Sequence, residues 1–515
     1  MNLTTDPWIP VVRCDGRPDL VSLRQAFAEG RQIADLSVRP HERIALLRLL
    51  ICVAQAALDG PEDEDAWGAC LDQIPARVSD YLDRWHDAFE LLGNGPRFLQ
   101  VQGLRSDRKN SKEAEDEDNA ADKLDLALAC GNNSTLFDNA GGGARTFSPA
   151  ELARMLVTFQ SFAPGGLIGI ASWNGRPTAP NKSAPASVCI AGSPLHAFIR
   201  KASLLETVHA NLITKEAFTE HAGRQADWGE PVWHRMPARP GDLPQTTRSY
   251  LGRLAPVARA VWLNDDHRTA IIARGLDYPI FDEAFAEPTM TVVARDDKRV
   301  TLRADPGRAI WRQLAAITTL RRAGGPGGPL ALRNVLDSDS FDLWTGALVA
   351  SKAKLVDAIE SVFHHVPVAL LQETGHAVYS AGVAHAEGIA GTLSRAIATY
   401  RRRLKDEIER GEGRQRGLNL KARASLHYWT AAEHLVPELF RLVTNPPPVD
   451  PQRGGYQFVE TPWGKRLFQE ALVAYELACP HQTPRQLQAY VLGRAEFFRP
   501  AEPTKTQPEP EEQTA

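Results

Sequence analysis

The 515-residue chain is poor in cysteine, and its six cysteines are widely separated. No two of them lie within four residues of each other, so no CxxC pair can supply the thiolates of a structural zinc site. We therefore expect reduced, buried thiols that pack as small apolar side chains. They are Cys14, Cys52, Cys70, Cys130, Cys189 and Cys479.

Long apolar runs are also missing, since no segment approaches the roughly 18 uncharged residues that cross a membrane. The start of the chain has no basic segment followed by an apolar one, as a secretory signal would have. We therefore expect no membrane partner and a cytoplasmic location. Hydrophobic residues make up 43% of the chain and charged residues 24%, which is typical of a globular protein. The length predicts two domains rather than one core.

The sequence contains none of the common catalytic motifs. There is no GxxxxGK[ST] phosphate loop, no HExxH and no GxSxG. The glycine-rich run 324–329 lacks the lysine of a phosphate loop, and we interpret it as a flexible connector. Asp265, Asp266 and His267 are adjacent, so they cannot all face one ion in regular structure, and we expect a surface turn. These absences predict no enzyme activity, no catalytic residue, no metal site and no cofactor.

Hydrophobic periodicity divides the chain into two regions of different kind. Up to residue 362, short strands alternate with helices, and residues 289–304 alternate around Asp296 and Asp297 as a β-hairpin does. Residues 363–499 repeat helical spacing and predict a helical bundle, whereas 500–515 are rich in proline and glutamate and predicted to be disordered. The sequence thus predicts an α+β fold, with a mixed α/β domain over 1–362.

A net charge of -4 argues against binding of nucleic acid by bulk charge, so any such contact must be local or shared with basic partners. A basic stretch in the predicted bundle is a local exception that suits contact with phosphates. A solvated helix face is the alternative. The stretch comprises Arg401, Arg402, Arg403, Lys405, Arg410, Arg414, Arg416, Lys421 and Arg423.

The opening of the chain, NLTTDPWIPV from Asn2 to Val11, is similar to the start of CasA proteins. The segments Val21–Leu23, Ala45–Ala56 and Pro96–Gln100 fit the same family in order, and the resemblance covers most of the chain. CasA is the large subunit of the type I-E CRISPR surveillance complex, Cascade. The resemblance implies a mixed α/β domain that carries a C-terminal four-helix bundle.

The resemblance also implies a function. A CasA protein is non-catalytic, recognises the protospacer-adjacent motif (PAM) in double-stranded DNA, starts strand separation, stabilises the displaced strand and helps recruit a helicase–nuclease. Its partners are the other Cascade subunits, the crRNA 5′ handle, the target DNA and the helicase–nuclease, while guide pairing supplies the long-range specificity. The alternatives are a scaffold that binds only crRNA and partner proteins, and an enzyme of unknown class. Some members bind zinc, but residues 265–282 contain no cysteine, so we expect none.

Two DNA-contacting elements of the family align with short segments of this chain. A glycine loop aligns with Gly165 and Gly166, where the minor groove, about 6 Å wide, would exclude larger side chains. The alternative is a turn that ends the preceding helix. A basic finger aligns with the tip of the predicted hairpin, near Arg295 with Lys298 as its rival, where a cation reaches base acceptors in the minor groove. The alternative is a solvated turn with self-paired charges.

The wedge that separates the strands aligns with Lys352 and Ala353, where the family commonly has Gln-Ala. A lysine can hold a phosphate, but it cannot offer the paired donor and acceptor of an amide. The alternative is a helix start with Ser351 as its N-cap.

Two RNA- or strand-binding elements complete the resemblance. The loop that contacts the crRNA handle aligns with a short segment whose phenylalanine either stacks on a base or anchors a buried loop. The displaced strand would lie on the first part of the basic stretch. The handle segment is Leu136, Phe137 and Asp138, and the displaced-strand patch is Arg401, Arg402, Arg403 and Lys405.

Overall fold

The computed structural model describes residues 1–106, 118–128, 145–169, 171–178, 183–222, 227–279, 289–296, 298–321, 325–351, 354–404, 413–452 and 454–499. Contacts divide the chain into two compact units, Met1–Gln372 and Glu373–Ala515. The first mixes strands and helices and the second is built of helices, so the predicted α+β class is confirmed. The predicted boundary at 362 falls within a strand, and the units divide later, at Gln372. The predicted tail, 500–515, lies outside the described residues.

The described strands all belong to the first unit, and most are short. The strands are β1 (Ile9–Arg13), β2 (Pro18–Val21), β3 (Ile33–Leu36), β4 (Leu104–Ser106), β5 (Asn119–Ala120), β6 (Gly166–Leu167), β7 (Ala171–Trp173), β8 (Arg176–Pro177), β9 (Ser183–Ala184), β10 (His196–Arg200), β11 (Arg259–Leu263), β12 (Thr269–Arg274), β13 (Val292–Arg295), β14 (Lys298–Thr301), β15 (Ser340–Ser351) and β16 (Lys354–Pro367). Among the described residues they form six small sheets, with orders β2-β1-β3, β10-β15-β16, β11-β12-β5, β13-β14, β4-β7-β8 and β6-β9.

The described helices are shared between the units, and the longer ones lie mostly in the second. In the first unit they are α1 (Leu23–Ala28), α2 (Pro40–Leu58), α3 (Glu64–Cys70), α4 (Ile74–Arg84), α5 (Pro149–Phe162), α6 (Leu204–Ala210), α7 (Lys215–Ala222), α8 (Tyr250–Leu254) and α9 (Leu314–Thr318). In the second they are α10 (Glu373–Arg403), α11 (Gly413–His434), α12 (Val436–Thr444), α13 (Pro462–Ala478) and α14 (Pro484–Arg494). None of the described helices is long and apolar enough to cross a bilayer.

Helix α2 forms the centre of the first unit, and most of its residues are buried. Pro40 begins the helix, and the backbone amide of Arg39 donates to the Glu42 carboxylate, so the first turn is capped. The helix packs against α4, α5, α8 and β15. Arg48, fully buried on this helix, donates to the carbonyl of Arg253 at 2.6 Å and to the hydroxyl of Thr289 at 2.9 Å. These bonds connect segments that are distant in sequence.

Most of the described cysteines are buried, as predicted. The buried ones are Cys52, Cys70, Cys189 and Cys479, whereas Cys14 is exposed. The prediction is wrong for Cys14, because β1 ends at Arg13 and Cys14 lies in the turn that follows it.

The second unit is organised around α10, which packs against α12, α13 and α14. Gly382 permits one close approach, because a Cβ there would lie 2.3 Å from Cδ1 of Leu439. The buried indole of Trp463 donates to the Gly382 carbonyl at 3.1 Å, and the hydroxyl of Tyr428 donates to the Ala386 carbonyl at 2.8 Å. The predicted helical C-terminal region is confirmed. Its description as a four-helix bundle stays a prediction.

Candidate nucleic-acid interface

The glycine loop leaves the end of α5 and turns back as β6. A capping box begins the helix: the Ser148 hydroxyl accepts from the backbone amide of Glu151, and the Glu151 carboxylate accepts from the backbone amide of Ser148. In the loop, Gly166 pairs with Ala184 of β9 in an antiparallel ladder. The loop is therefore a backbone ribbon rather than a simple helix end.

Both glycines of this loop are required by its backbone. A Cβ on Gly165 would lie 2.9 Å from the backbone nitrogen of Ala186, closer than side chains normally approach. Gly166 has a φ of 144°, in the region where residues with a side chain are strained. The next side chain, Leu167, is 90% exposed. The ribbon thus presents two positions without side chains beside one uncovered apolar group.

A buried polar network lies beneath the loop. The side chain of Gln160 accepts from the Arg259 backbone amide at 2.9 Å and donates to the Arg259 carbonyl at 2.9 Å and the Leu99 carbonyl at 3.0 Å. The guanidinium of Arg259 donates to the carbonyls of Pro164 and Pro185, both at 2.8 Å. Neither residue was predictable from the sequence, because any residue can supply a backbone acceptor.

The predicted hairpin is confirmed as β13 and β14, with Arg295 opposite Lys298. Both of these side chains are exposed, and Asp296 at the tip has a φ of 48°. Asp297 lies outside the described residues. The hairpin therefore presents two cations side by side at its end, as the finger assignment requires, and their contact with DNA stays a prediction.

Part of the glycine-rich run holds the base of this hairpin. Gly327 and Val292 exchange two backbone hydrogen bonds, each 2.8 Å long. Gly327 has a φ of 153°, and a Cβ there would lie 2.5 Å from Cα of Arg321. The interpretation of this run as a flexible connector is wrong for Gly327 and Gly328, which also donates to the Thr319 carbonyl at 2.7 Å. Glycine is needed here for close packing.

The residues on either side of the predicted wedge belong to strands. Ser351 ends β15, Lys354 begins β16, and the two are antiparallel partners. The alternative of a helix that begins at Ser351 is therefore wrong. Lys352 and Ala353 themselves lie outside the described residues.

The three predicted DNA-contacting elements share a connecting segment, residues 185–200, which runs from the glycine loop into β10. At the loop, the amide of Ser187 donates to the Ala163 carbonyl at 2.9 Å. At the hairpin, the Ser193 carbonyl accepts from Ala304 at 2.9 Å. The Ser193 hydroxyl accepts from the amide of Ala350, next to the end of β15, also at 2.9 Å. The connecting segment therefore contacts the glycine loop, the residues after β14 and the end of β15.

Ser193 adopts a φ of 51° within this segment and is almost fully buried. A left-handed serine is uncommon, and here one residue bonds both to Ala304, after β14, and to Ala350 of β15. The sequence carried no signal for this role, since the partners of Ser193 are far along the chain.

The basic stretch is described only in part. Arg401 is half-buried, and Arg402 and Arg403 are exposed at the C-terminal end of α10, where cations also stabilise the helix dipole. Lys421 and Arg423 are exposed on α11. Lys405 and the crRNA-handle residues lie outside the described residues; the handle residues are Leu136, Phe137 and Asp138.

The acidic pair before β12 forms the expected surface turn. The Asp266 carboxylate accepts from the amides of Arg268 and Thr269, at 2.9 and 3.0 Å, while Asp265 pairs with Arg97 at 2.9 Å. Within the described ranges, no group of three or more histidines, cysteines or acidic residues is arranged to hold a metal ion.

A mixed α/β unit followed by a helical unit is the fold of large CRISPR-associated proteins of known structure. The crystal structure of CasA from Thermus thermophilus has a TM-score of 0.73 at 23% identity, with 97% of this chain and 98% of that chain covered. A chain of a CRISPR RNA-guided surveillance complex has a TM-score of 0.69 at 17% identity and covers 97% and 99%.

The sequence comparisons identify the family. The model described as CRISPR-associated protein Cse1 matches residues 2–474. The CRISPR-associated protein CasA/Cse1 of Thermus thermophilus is 28% identical, over 97% of this chain and 96% of its own length. The chain belongs to the CRISPR-associated protein Cse1 family, and the resemblance to CasA proteins is confirmed.

Proposed function

We propose that the chain is the non-catalytic large subunit of a crRNA-guided antiviral complex in the cytoplasm. In this role it recognises the PAM in double-stranded DNA, starts strand separation, stabilises the displaced strand and helps recruit the helicase–nuclease. Family membership supports a place in such a complex, because one similar chain of known structure belongs to an RNA-guided surveillance complex. The remaining subunits and the crRNA are its other partners.

The connecting segment carries the proposal. The glycine loop, the base of the hairpin and the end of β15 all hydrogen-bond to residues 185–200. Motif reading and strand opening must act on neighbouring base pairs, so the elements that perform them need a fixed mutual spacing. A shared backbone support provides this spacing, and a surface that bound only crRNA and protein partners would not need it.

Each element contributes a different chemistry to motif recognition. The glycine ribbon at Gly165 and Gly166 enters a narrow groove because it carries no side chains there. Arg295 and Lys298 offer donors to base acceptors, whose degenerate pattern in the minor groove suits loose reading of a short motif. Lys352 and Ala353 then act at the first base pairs, and guide pairing takes over from there.

The test is a binding screen with the reconstituted complex and a library of duplexes. Each duplex carries the same guide-matched target and a randomised flank. We expect bound DNA to be enriched for one short flanking motif, and enrichment to disappear in complexes that lack this chain. Binding that depends on guide complementarity alone, with no flank preference, would instead support a scaffold that contacts only crRNA and partner proteins.

A further inference from the structure

Arg259 is the most unusual charged residue near the glycine loop. It begins β11, its side chain is 2% exposed, and no carboxylate among the described residues forms an ion pair with it. Asp277, an acidic residue nearby, pairs with Arg274 at 2.6 Å. A buried cation without a carboxylate partner is costly unless hydrogen bonds satisfy it.

The guanidinium is satisfied by backbone carbonyls alone. It donates to Ala258, Pro164 and Pro185, each at 2.8 Å. Pro164 directly precedes Gly165, and Pro185 directly follows Ala184, the ladder partner of Gly166. The planar guanidinium of Arg259 therefore contacts both sides of the glycine ribbon, at Pro164 before β6 and at Pro185 after β9.

These bonds fix the direction of the peptide planes. In a trans peptide the carbonyl and the following amide point in opposite directions, and the described peptide bonds are all trans. Because the carbonyls of Pro164 and Pro185 point inward to Arg259, the amides of Gly165 and Ala186 point away from it. Both amide donors are thus turned away from the buried guanidinium.

The charge of Arg259 acts in the same direction. Burial lowers the pKa of its guanidinium to about 10, so it stays protonated near neutral pH. A fixed positive charge behind amides that point away from it favours an anionic or acceptor-rich surface in front of them. Nucleic acid, with its phosphates and groove acceptors, is such a surface.

We infer that Arg259 is the positioning residue of the glycine loop, which orients the amides of Gly165 and Ala186 toward the DNA and thereby sets motif discrimination. This inference rests on the proposed function. It predicts that changes at Arg259 affect reading of the motif rather than general attraction to DNA. A purely structural arginine would instead affect folding and assembly.

The experiment uses the reconstituted complex with Arg259→Met, Arg259→Lys and the control Arg97→Met. Arg97 is the control because it is 3% exposed and donates to the backbone carbonyls of Gly93 and of Leu263, the last residue of β11, although it also pairs with Asp265. The measurement is the ratio of affinities for duplexes with and without the motif. Thermal melting and subunit stoichiometry are recorded for every variant.

We expect Arg259→Met to lower affinity for the motif duplex by about 10- to 100-fold, the cost of losing charged hydrogen bonds, with affinity for the other duplex within about twofold. Arg259→Lys keeps the charge but not the planar fork, so it should recover only part of the discrimination. The complex with Arg97→Met should show the same ratio of affinities for the two duplexes as the unmodified complex. An unchanged ratio in Arg259→Met, or an equal loss in Arg97→Met, overturns the inference.

Hydrogen exchange on the full-length chain covers the case in which Arg259→Met does not assemble. In Arg259→Lys, peptides that span 163–169 and 183–187 should exchange faster, while those around Arg97 stay unchanged. Unchanged exchange in the loop peptides overturns the inference. If the unmodified complex shows no motif preference, the proposed function fails. If Gly166→Asp abolishes that preference but the Arg259 variants do not, this inference alone fails.

Discussion

The two regions proposed to contact DNA are built in opposite ways. In the first unit, the connecting segment hydrogen-bonds to the glycine loop and to the residues after the hairpin, and Arg259 hydrogen-bonds to residues that flank the loop. In the second, Arg402 and Arg403 stand exposed at the end of α10. Reading a groove requires a fixed backbone, whereas neutralising phosphates requires only charge. The difference implies that substitutions in the first region should change specificity and those in the second should change salt dependence.

The largest effect is expected from an acidic group in the glycine loop. Gly165→Asp places a Cβ against the Ala186 nitrogen, and Gly166→Asp adds a side chain at a φ of 144°. Either carboxylate also repels phosphates. We expect more than about 100-fold loss of motif-duplex affinity with assembly retained, measured by gel shift on purified complex.

A matched control separates backbone strain from DNA contact. Gly16 also has a positive φ, of 85°, in the turn between β1 and β2, and its position for a Cβ is open. Gly16→Asp should therefore bind DNA normally. Near-normal affinity in Gly165→Asp and Gly166→Asp would show that the ribbon is only a turn.

The second effect concerns the wedge, where this chain departs from its family. If Lys352 acts at the strand-opening point, Lys352→Ala should slow opening more than it weakens initial motif binding. DNA duplex and RNA–DNA hybrid are nearly balanced in free energy. A loss of about 1.5–2 kcal/mol at the first base pairs should therefore slow opening by about 10- to 30-fold.

Opening rates on matched and pre-melted targets decide the role of Lys352. Mismatched DNA beside the motif removes the need for a wedge, so it should rescue Lys352→Ala. Equal failure on both targets would mean that Lys352 holds phosphate or supports the fold. A normal rate on matched duplex would place the wedge elsewhere.

The region around the wedge shows where sequence patterns fail. Strand β16 is at the edge of its sheet and carries exposed apolar residues such as Val356 and Val362, so its alternation is weak. The boundary predicted at 362 falls within this strand, and the alternative of a helix start at Ser351 lies where β15 ends. By contrast, the alternation over residues 289–304 predicted the β13–β14 hairpin correctly.

The candidate site was predictable only where a family motif or a local pattern marks it. Gly165, Gly166 and the hairpin tip were found in this way. Arg259 and Ser193 were not, because each acts on backbone groups of residues distant in sequence. Any residue can supply a carbonyl or an amide, so such contacts appear only once the chain is folded.

A third, smaller effect is expected from the basic stretch of the second unit. Replacement of Arg401, Arg402 and Arg403 by glutamine should lower affinity for DNA by about tenfold, since exposed contacts are worth about 0.5 kcal/mol each. The slope of log affinity against log salt should fall by about 2 to 3, at 0.7–0.9 per phosphate contact. Preference for the motif should not change.

The matched control for the basic stretch uses two other arginines of the same unit. Arg441 and Arg466 both pair with Glu438, at 2.9 and 3.7 Å, so this carboxylate compensates part of their charge. Their replacement by glutamine should leave the salt slope unchanged. If the triple variant also keeps the salt slope of the unmodified complex, Arg401, Arg402 and Arg403 belong to an ordinary solvated helix face.

The smallest effect concerns the most exposed leucine of each unit among the described residues. Leu167, beside the glycine loop, is 90% exposed, and Leu426, on α11, is 72% exposed. Apolar side chains in a minor groove pack on sugars and base edges. Leu167→Ala should therefore weaken motif-duplex binding by about three- to fivefold, since a few buried methyl groups are lost.

The paired variant Leu426→Ala tests whether that loss is specific to the groove. Neither side chain is buried, so neither substitution should change the free energy of unfolding by more than about 0.5 kcal/mol. Leu426→Ala should also leave both motif preference and salt slope unchanged, because charge rather than shape dominates its region. If both leucines give the same loss, exposed apolar groups act generally in assembly. If only Leu167 matters, the glycine loop reads shape through its side chains as well as its backbone.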